Sequence, residues 1–318
     1  MQDRIISFLK EKEGYISGDQ LAHRLKISRQ ALWKHVQELR DAGYEIVAIP
    51  HLGYQLVSIP DRLFPQEVHE GLHTHCIGKK IYYFDKLSST MDEAMRLGFE
   101  NAPEGTVVIA ESQGCGRGRM GRQWVSPKYK GIYLSLIVKP NIIPSQTPLL
   151  TLMTAVCVCE AIRQTTGLEA QIKWPNDILL AHRKVSGILT ELKAELDAVS
   201  FVLIGIGLNV NSERSVLPEG ATSLKEQLKG AVNRLALLKY LLQSLEDYYF
   251  LFKKEGPEPI LARWRSYALT LGKRVKVMYQ RRHVEGEALD IDDDGGLLIR
   301  NDAGLIDKVT AGDVIHCR

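Results

Sequence analysis

Hydrophobic positions at the start of the chain recur at helical spacing. Ile5, Ile6, Phe8 and Leu9 form one apolar face, Leu21, Ala22 and Leu25 a second, and Leu32, Val36 and Leu39 a third at i, i+4, i+7. Asp19 is the expected cap of the second helix and Ser28 of the third, because a side-chain oxygen there accepts an orphan amide proton of the first turn. Gly43 ends the third helix. Positions 44–49 and 53–59 then alternate like a hairpin around the tip Pro50-His51-Leu52-Gly53, and Ile59-Pro60-Asp61 reads as a linker. Beyond it, strand-sized runs at 80–85, 106–111, 131–138, 170–173, 178–180, 186–192 and 201–208 mix with helical patterns at 90–97, 148–165, 234–254 and 258–269. The tail is dense in β-branched residues and turn signals such as Asp292-Asp293-Asp294-Gly295-Gly296. The pattern predicts a multidomain α+β chain: a winged helix-turn-helix at 1–62, a mixed α/β core at 65–268 and a small all-β barrel or sandwich at 270–318.

Composition narrows the class. Of 318 residues, 45% are hydrophobic and 25% charged, which excludes disorder, collagen-like repeats and coiled coil. The net charge of +3 gives no molecule-wide basic field, so any DNA contact must be local. Residues 1–60 carry eight Lys and Arg against seven Asp and Glu. Arg29, Gln30, Lys34 and Gln37 lie off the apolar stripe of the third helix. With Ser28 they are the candidate DNA contacts, free to meet base edges and phosphates. The same face also fits a three-helix interaction or dimerisation domain. Five cysteines, at 76, 115, 157, 159 and 317, show no paired spacing, and no secretory leader is evident; both point to a reducing cytosol. The apolar stretches at 132–138 and 201–208 are too short to span a bilayer, so no membrane role is expected.

The sharpest local feature is Gly114-Cys115-Gly116-Arg117-Gly118-Arg119-Met120-Gly121-Arg122, directly after a strand. Its Gly-x-Gly-x-x-Gly substring imitates a dinucleotide fingerprint. Such a turn must open a helix, and the following Gln123-Trp124-Val125-Ser126-Pro127 does not favour one. No Gly-Lys-Ser/Thr ending supports a Walker loop either. What remains is a flexible loop with three guanidiniums, suited to clamping phosphate or carboxylate and to folding over a ligand.

Further motifs follow in order: Ser89-Thr90, Gln113 before the glycine–arginine loop, Trp124 after it, Lys173-Trp174-Pro175-Asn176-Asp177, Lys184-x-x-Gly187-Ile188-Leu189 and Gly205-Ile206-Gly207-Leu208-Asn209-Val210-Asn211. Together they resemble the biotin–protein ligases. With a winged helix in front and a β domain behind, the resemblance covers the whole chain and points to the bifunctional ligases that also repress the biotin operon. It implies a core of the biotin/lipoate ligase type and an SH3-like C-terminal barrel. It further implies that biotin's carboxylate is joined to ATP, giving biotinyl-5′-AMP and pyrophosphate, and that biotin then passes to a lysine of a biotin carboxyl carrier protein.

By this resemblance Lys184 and Arg119 are the catalytic candidates. Lys184 would sit at the biotin carboxylate and the developing acyl phosphate, and Arg119 would hold the adenylate. Ser89, Thr90 and Gln113 match the ureido end of the biotin site; Met91, Arg117, Gly118, Arg119, Lys184 and Gly187 complete it. Arg119, Arg122, Trp124, Lys173, Asn176, Asp177 and Asn209 match the ATP and adenylate site, with magnesium entering with ATP near Asp177. The implied partners are the carrier protein, operator DNA and, in the adenylate-bound state, a second copy of the chain. A ligase with a non-repressing winged helix, a ligand-sensing repressor without ligase activity and a lipoate ligase are the alternatives. His69, His73, His75 and Cys76 have loose metal-like spacing, with His69 and His73 expected on one helical face, but an exposed helix end is the simpler reading and no side-chain metal cluster is expected.

Overall fold

Two serines start the paired helices of the N-terminal unit. The Gln20 amide donates to Ser17 Oγ at 3.1 Å and the Ala31 amide to Ser28 Oγ at 3.1 Å. Ser17, not Asp19, is therefore the cap of the second helix; Asp19 sits inside its first turn. In this computed structural model, which describes residues 1–195, 198–279 and 282–316, that unit runs from Met1 to Arg62. It contains α1 (Gln2–Lys10), α2 (Gly18–Leu25), α3 (Arg29–Asp41) and the antiparallel hairpin β1 (Glu45–Ile49) and β2 (Gly53–Ser58). The apolar stripes read from the sequence converge: Ile5, Leu21, Leu32, Val36 and Leu39 are buried. Lys26 turns the chain between α2 and α3 in the left-handed region at φ 56°.

The second unit spans Leu63–Arg318. In chain order it holds α4 (Pro65–His69), β3 (Ile81–Phe84), α5 (Thr90–Phe99), β4 (Val107–Ala110), β5 (Gly131–Val138), α6 (Thr147–Thr166), β6 (Gln171–Lys173), β7 (Asp177–Leu180), β8 (Arg183–Glu195), β9 (Ala198–Asn209), α7 (Leu224–Leu228), α8 (Arg234–Glu255) and α9 (Glu258–Tyr267). The short α4 and α7 are not evident from periodicity. The strands form one mixed sheet in the order β3-β4-β5-β9-β8-β7-β6, in which β3 and β4 pair in parallel and the other neighbours pair antiparallel. Strand alternation divides its side chains between two layers. Val107, Leu134, Leu136, Val202 and Ile204 face the main core, while Val108, Ile137, Phe201 and Leu203 meet Met91, Ala94 and Leu97 of α5.

Helix α6 lies between this sheet and helices α8 and α9 and is buried on nearly all sides. Residues Pro144–Thr166 are long and apolar enough to cross a membrane by composition alone, which the shorter apolar runs considered above did not include. Burial within the protein accounts for 78% of that window, as expected of a core helix.

The tail forms a five-stranded antiparallel sheet of β10 (Arg274–Tyr279), β11 (Arg282–Ile291), β12 (Leu297–Arg300), β13 (Ile306–Val309) and β14 (Val314–His316), in the order β13-β12-β11-β10-β14. Its inner residues, among them Val275, Leu297 and Val309, join the apolar cluster of the α/β core. Cys317 lies outside the described residues.

Candidate active site

On the α5 side of the sheet, the C-terminal end of β9 reads Gly205, Gly207 and Asn209 at alternate positions. Their β8 and β5 neighbours on that face include Gly187 and Ser135. Missing side chains leave a hollow there. A Cβ on Gly207 would meet the Trp124 ring at 2.4 Å, and one on Gly205 would meet Met91 Sδ at 2.7 Å. The glycines thus let Met91 and Trp124 lie directly on the strand backbone. Roofed by the glycine–arginine loop, the hollow forms a cavity of about 490 Å³, within the range of small-molecule sites.

One end of the cavity is a short polar network. The Thr90 amide and hydroxyl both donate to Gln113 Oε1, at 2.9 and 3.2 Å. Gln113 Nε2 donates to Ser126 Oγ at 3.0 Å, and Ser135 Oγ to Thr90 Oγ1 at 2.8 Å. Ser89 occupies the N-cap position of α5 but makes no capping bond, and its buried Oγ has no hydrogen-bond partner.

The middle depends on a β-bulge. Asp177 pairs with Gly187 and Ile178 with Ser186, whereas Leu179 pairs with Lys184, so Val185 is extra in β8. Regular alternation would put Lys184 on the face opposite Gly187; the bulge turns it to the same face. Lys184 Nζ stands 2.5 Å from Asp177 Oδ1 and 5.6 Å from the centre of the Trp124 ring. Its backbone is pinned by bonds from its amide to the Gly220 carbonyl, 2.9 Å, and from the Thr222 amide to its own carbonyl, 2.8 Å.

The arginines of the loop diverge. Arg119 reaches inward, donating to Asn176 Oδ1 at 2.9 Å and to the Gly312 carbonyl at 3.2 Å. Burial lowers its pKa, with Asp313 and Asp177 pulling the other way. Arg122 is paired with Asp313, and Arg117 sits at the rim against Glu191 at 2.8 Å and Asp92 at 3.4 Å. No α-helix follows the loop; it contains only a short 3₁₀ turn, Arg119–Gly121, with Met120 at φ 55°.

Asn176 is fixed in the β6–β7 turn, where its Nδ2 donates to the Ile188 carbonyl at 2.8 Å and the preceding Trp174–Pro175 peptide is cis. Lys173, at the end of β6, also lines the cavity. Asn209 donates to the Thr222 carbonyl at 3.1 Å, while its Oδ1 and the Trp124 Nε1 are buried without partners. His316, on β14 of the tail sheet, has its pKa lowered by burial and then by Lys173, Lys273 and His182.

Of the ligase residues singled out from sequence, all but Ser89 line this one cavity, and Ser89 adjoins Thr90. Asp313 and the 217–221 segment were not singled out from the sequence, and Gly205 and Gly207 stood in a quoted motif without a role in the site. Their alternation on a strand signals a floor without side chains; Asp313, in the tail, carried no signal. The candidate DNA contacts share the exposed side of α3. Ser28 caps that helix, and Arg29 lies 3.4 Å from Asp19. His69 and His73 do not share a helix, because α4 ends at His69. His69 Nε2 instead meets the Gly78 carbonyl at 2.9 Å, and among the described residues no three His, Cys, Asp or Glu side chains converge as a metal site would require.

A glycine-floored cavity beneath an arginine loop, on a mixed sheet followed by a β-rich tail, defines a protein of the biotin and lipoate ligase class. The model of the biotin/lipoate A/B protein ligase family matches residues 83–209, an HTH domain matches 2–55, and the biotin protein ligase C-terminal domain matches 270–317. The fold is similar to that of the biotin protein ligase from Aquifex aeolicus in complex with biotin and ATP, with a TM-score of 0.65 and 29% identity over 76% of this chain and 99% of that one. The bifunctional ligase/repressor BirA of Bacillus subtilis is 40% identical over 98% of this chain and 97% of its own length. That of Escherichia coli is 31% identical over 98% and 95%. The chain belongs to the bifunctional ligase/repressor BirA family.

Proposed function

We propose that the chain biotinylates a lysine of a biotin carboxyl carrier protein through biotinyl-5′-AMP and, in its adenylate-bound state, represses biotin genes as a dimer. The observation that carries the ligase half is the cavity itself. A hydrogen-bonding end built on Thr90 and Gln113 and a cationic end built on Lys184 and Arg119 share one cavity. Biotin's ureido group can exchange donors and acceptors with Ser89, Thr90 and Gln113, leaving its carboxylate toward Lys184. A carboxylate oxygen then attacks the α-phosphorus of ATP and pyrophosphate leaves. Two anions must approach, so Lys184 and Arg119 neutralise both at the point where charge builds up. Trp124 and Asn209 offer unsatisfied buried polar atoms for the adenine. Magnesium entering with ATP would be held by the Asp177 carboxylate together with ATP phosphates and water, where it would offset phosphate charge. In the second half-reaction the carrier's lysine amine attacks the acyl carbon and AMP leaves.

The test is incorporation of labelled biotin into a purified carrier domain, with ATP and magnesium. Incorporation that requires every component supports the ligase; success only with lipoate and a lipoyl domain would move the chain to the sister activity. For the repressor half, a mobility shift on the organism's biotin promoters should depend on biotin and ATP, and sedimentation should show a dimer under the same conditions. Absence of any such shift would leave the winged helix non-repressing.

A further inference from the structure

Trp33 stands in the middle of the exposed face of α3 with 57% of its surface accessible. Leu32, Val36 and Leu39, all at most 1% exposed, already fill the inner face of that helix. At 3.6 residues per turn, Trp33 falls in one row with Arg29 and Gln37 and beside Gln30 and Lys34. More than half of this large indole is left in water amid hydrogen-bonding side chains, and aromatic residues in such settings are typical of recognition surfaces. The occupant follows from the motif: in a helix-turn-helix the second helix of the pair, here α3, enters the major groove.

We propose that Trp33 is a specificity-determining residue for operator DNA, its ring packing against thymine C5-methyl groups while the polar side chains around it meet base edges and phosphates. The inference rests on the reading of the first unit as a DNA-binding module. Thymine alone displays a methyl in the major groove, so an apolar surface there distinguishes it from every other base. The contact carries no charge and releases no counterions, unlike one made by Lys34.

The experiment uses the full chain with biotin, ATP and magnesium, and duplex fragments from the promoters of the organism's own biotin genes, synthesised with either thymine or uracil. Trp33→Ala is expected to bind the thymine duplex roughly tenfold or more weakly than wild type. Wild type should show a comparable loss on uracil DNA, the variant should be indifferent to the exchange, and Trp33→Phe should fall between. The salt dependence of binding should be unchanged in Trp33→Ala and shallower by about 0.9 in log–log slope in Lys34→Ala. Wild-type affinity of Trp33→Ala for thymine DNA, or a thymine preference it keeps, would overturn the proposal alone. Loss of adenylate-induced dimerisation with DNA binding intact would make Trp33 a subunit contact and overturn it too. If wild type binds none of the fragments, the DNA-binding reading fails and takes the proposal with it. Thermal melting and far-UV circular dichroism of the full-length Trp33→Ala and Trp33→Phe chains separate lost recognition from lost folding.

Discussion

The Lys184 ammonium is paired with Asp177 Oδ1, 2.5 Å away. In the proposed reaction, biotin and ATP would therefore compete with a carboxylate that also holds the cation in place. Lys184→Ala is expected to reduce adenylate formation by roughly hundredfold or more, the scale of losing one preorganised stabiliser of developing charge. Pyrophosphate release measured with biotin and ATP alone checks this; near-normal rates would remove Lys184 from the chemistry. Gly207 tests the floor of the same cavity. An added methyl would meet the Trp124 ring at 2.4 Å and displace it. Overpacking of this kind costs about 1–3 kcal/mol, so Gly207→Ala should raise KM for ATP by roughly tenfold while KM for biotin changes less. Equal effects on both substrates would count against Trp124 serving the adenine end. The residue types at these positions were legible in the sequence because ordered motifs named them. Their contacts were not, since nothing local indicates that Trp124 lies on Gly207 or that Arg117 turns out to Glu191 while Arg119 turns in to Asn176.

Elements show the same division. Boundaries follow from local chemistry wherever caps and periodicity agree, as at Ser28 and along α6 and α8. Asp19 was misread as a cap because Asp and Ser serve that role almost equally well, and the backbone puts Ser17 at the turn. The bulge at Val185 left no mark in the pattern, yet it decides which face of β8 carries Lys184. Helix α8 is tied to the segment before β3 by one carboxylate. Glu246 accepts from the amides of His75 at 2.5 Å, Cys76 at 2.7 Å and Ile77 at 2.8 Å. Burial pushes its pKa up, but these backbone bonds outweigh burial and leave it below its ordinary value of 4.5. A depressed carboxyl contributes stability that is fully present above the ordinary value and is lost as pH falls through the depressed one. Glu246→Gln should therefore lower stability at neutral pH and make acid unfolding less steep below about pH 4.5. A fluorescence-monitored acid titration reads this directly, and an unchanged profile would show that the three amide bonds do not favour the ionised form.

Across the second unit, a fully buried ion pair links distant parts of the chain. Arg234 of α8 donates to Glu111 Oε2 at 2.7 Å and to the Gly131 carbonyl at 2.9 Å, while Glu111 Oε1 accepts from the Leu63 amide at 2.8 Å. Both side chains have no exposed surface. Removing one partner of a buried pair leaves a charge uncompensated and costs about 3–5 kcal/mol. Glu111→Gln should lower the unfolding free energy by that order, and urea denaturation followed on a core probe checks it; a loss below about 1 kcal/mol would mean that the amide or a rearranged neighbour satisfies Arg234. Sequence by itself determined the three-part order of the chain, nearly all the long elements and the residue types of the site, because periodicity, caps and ordered motifs are local and survive in one dimension. Tertiary structure alone decided that Asp313 of the tail meets Arg122, that the β-rich tail shares its core with the ligase fold, and that Glu111 and Arg234 neutralise each other. Those contacts join residues far apart in the chain, and their strength comes from water being excluded where they meet, a condition that exists only once the chain has folded.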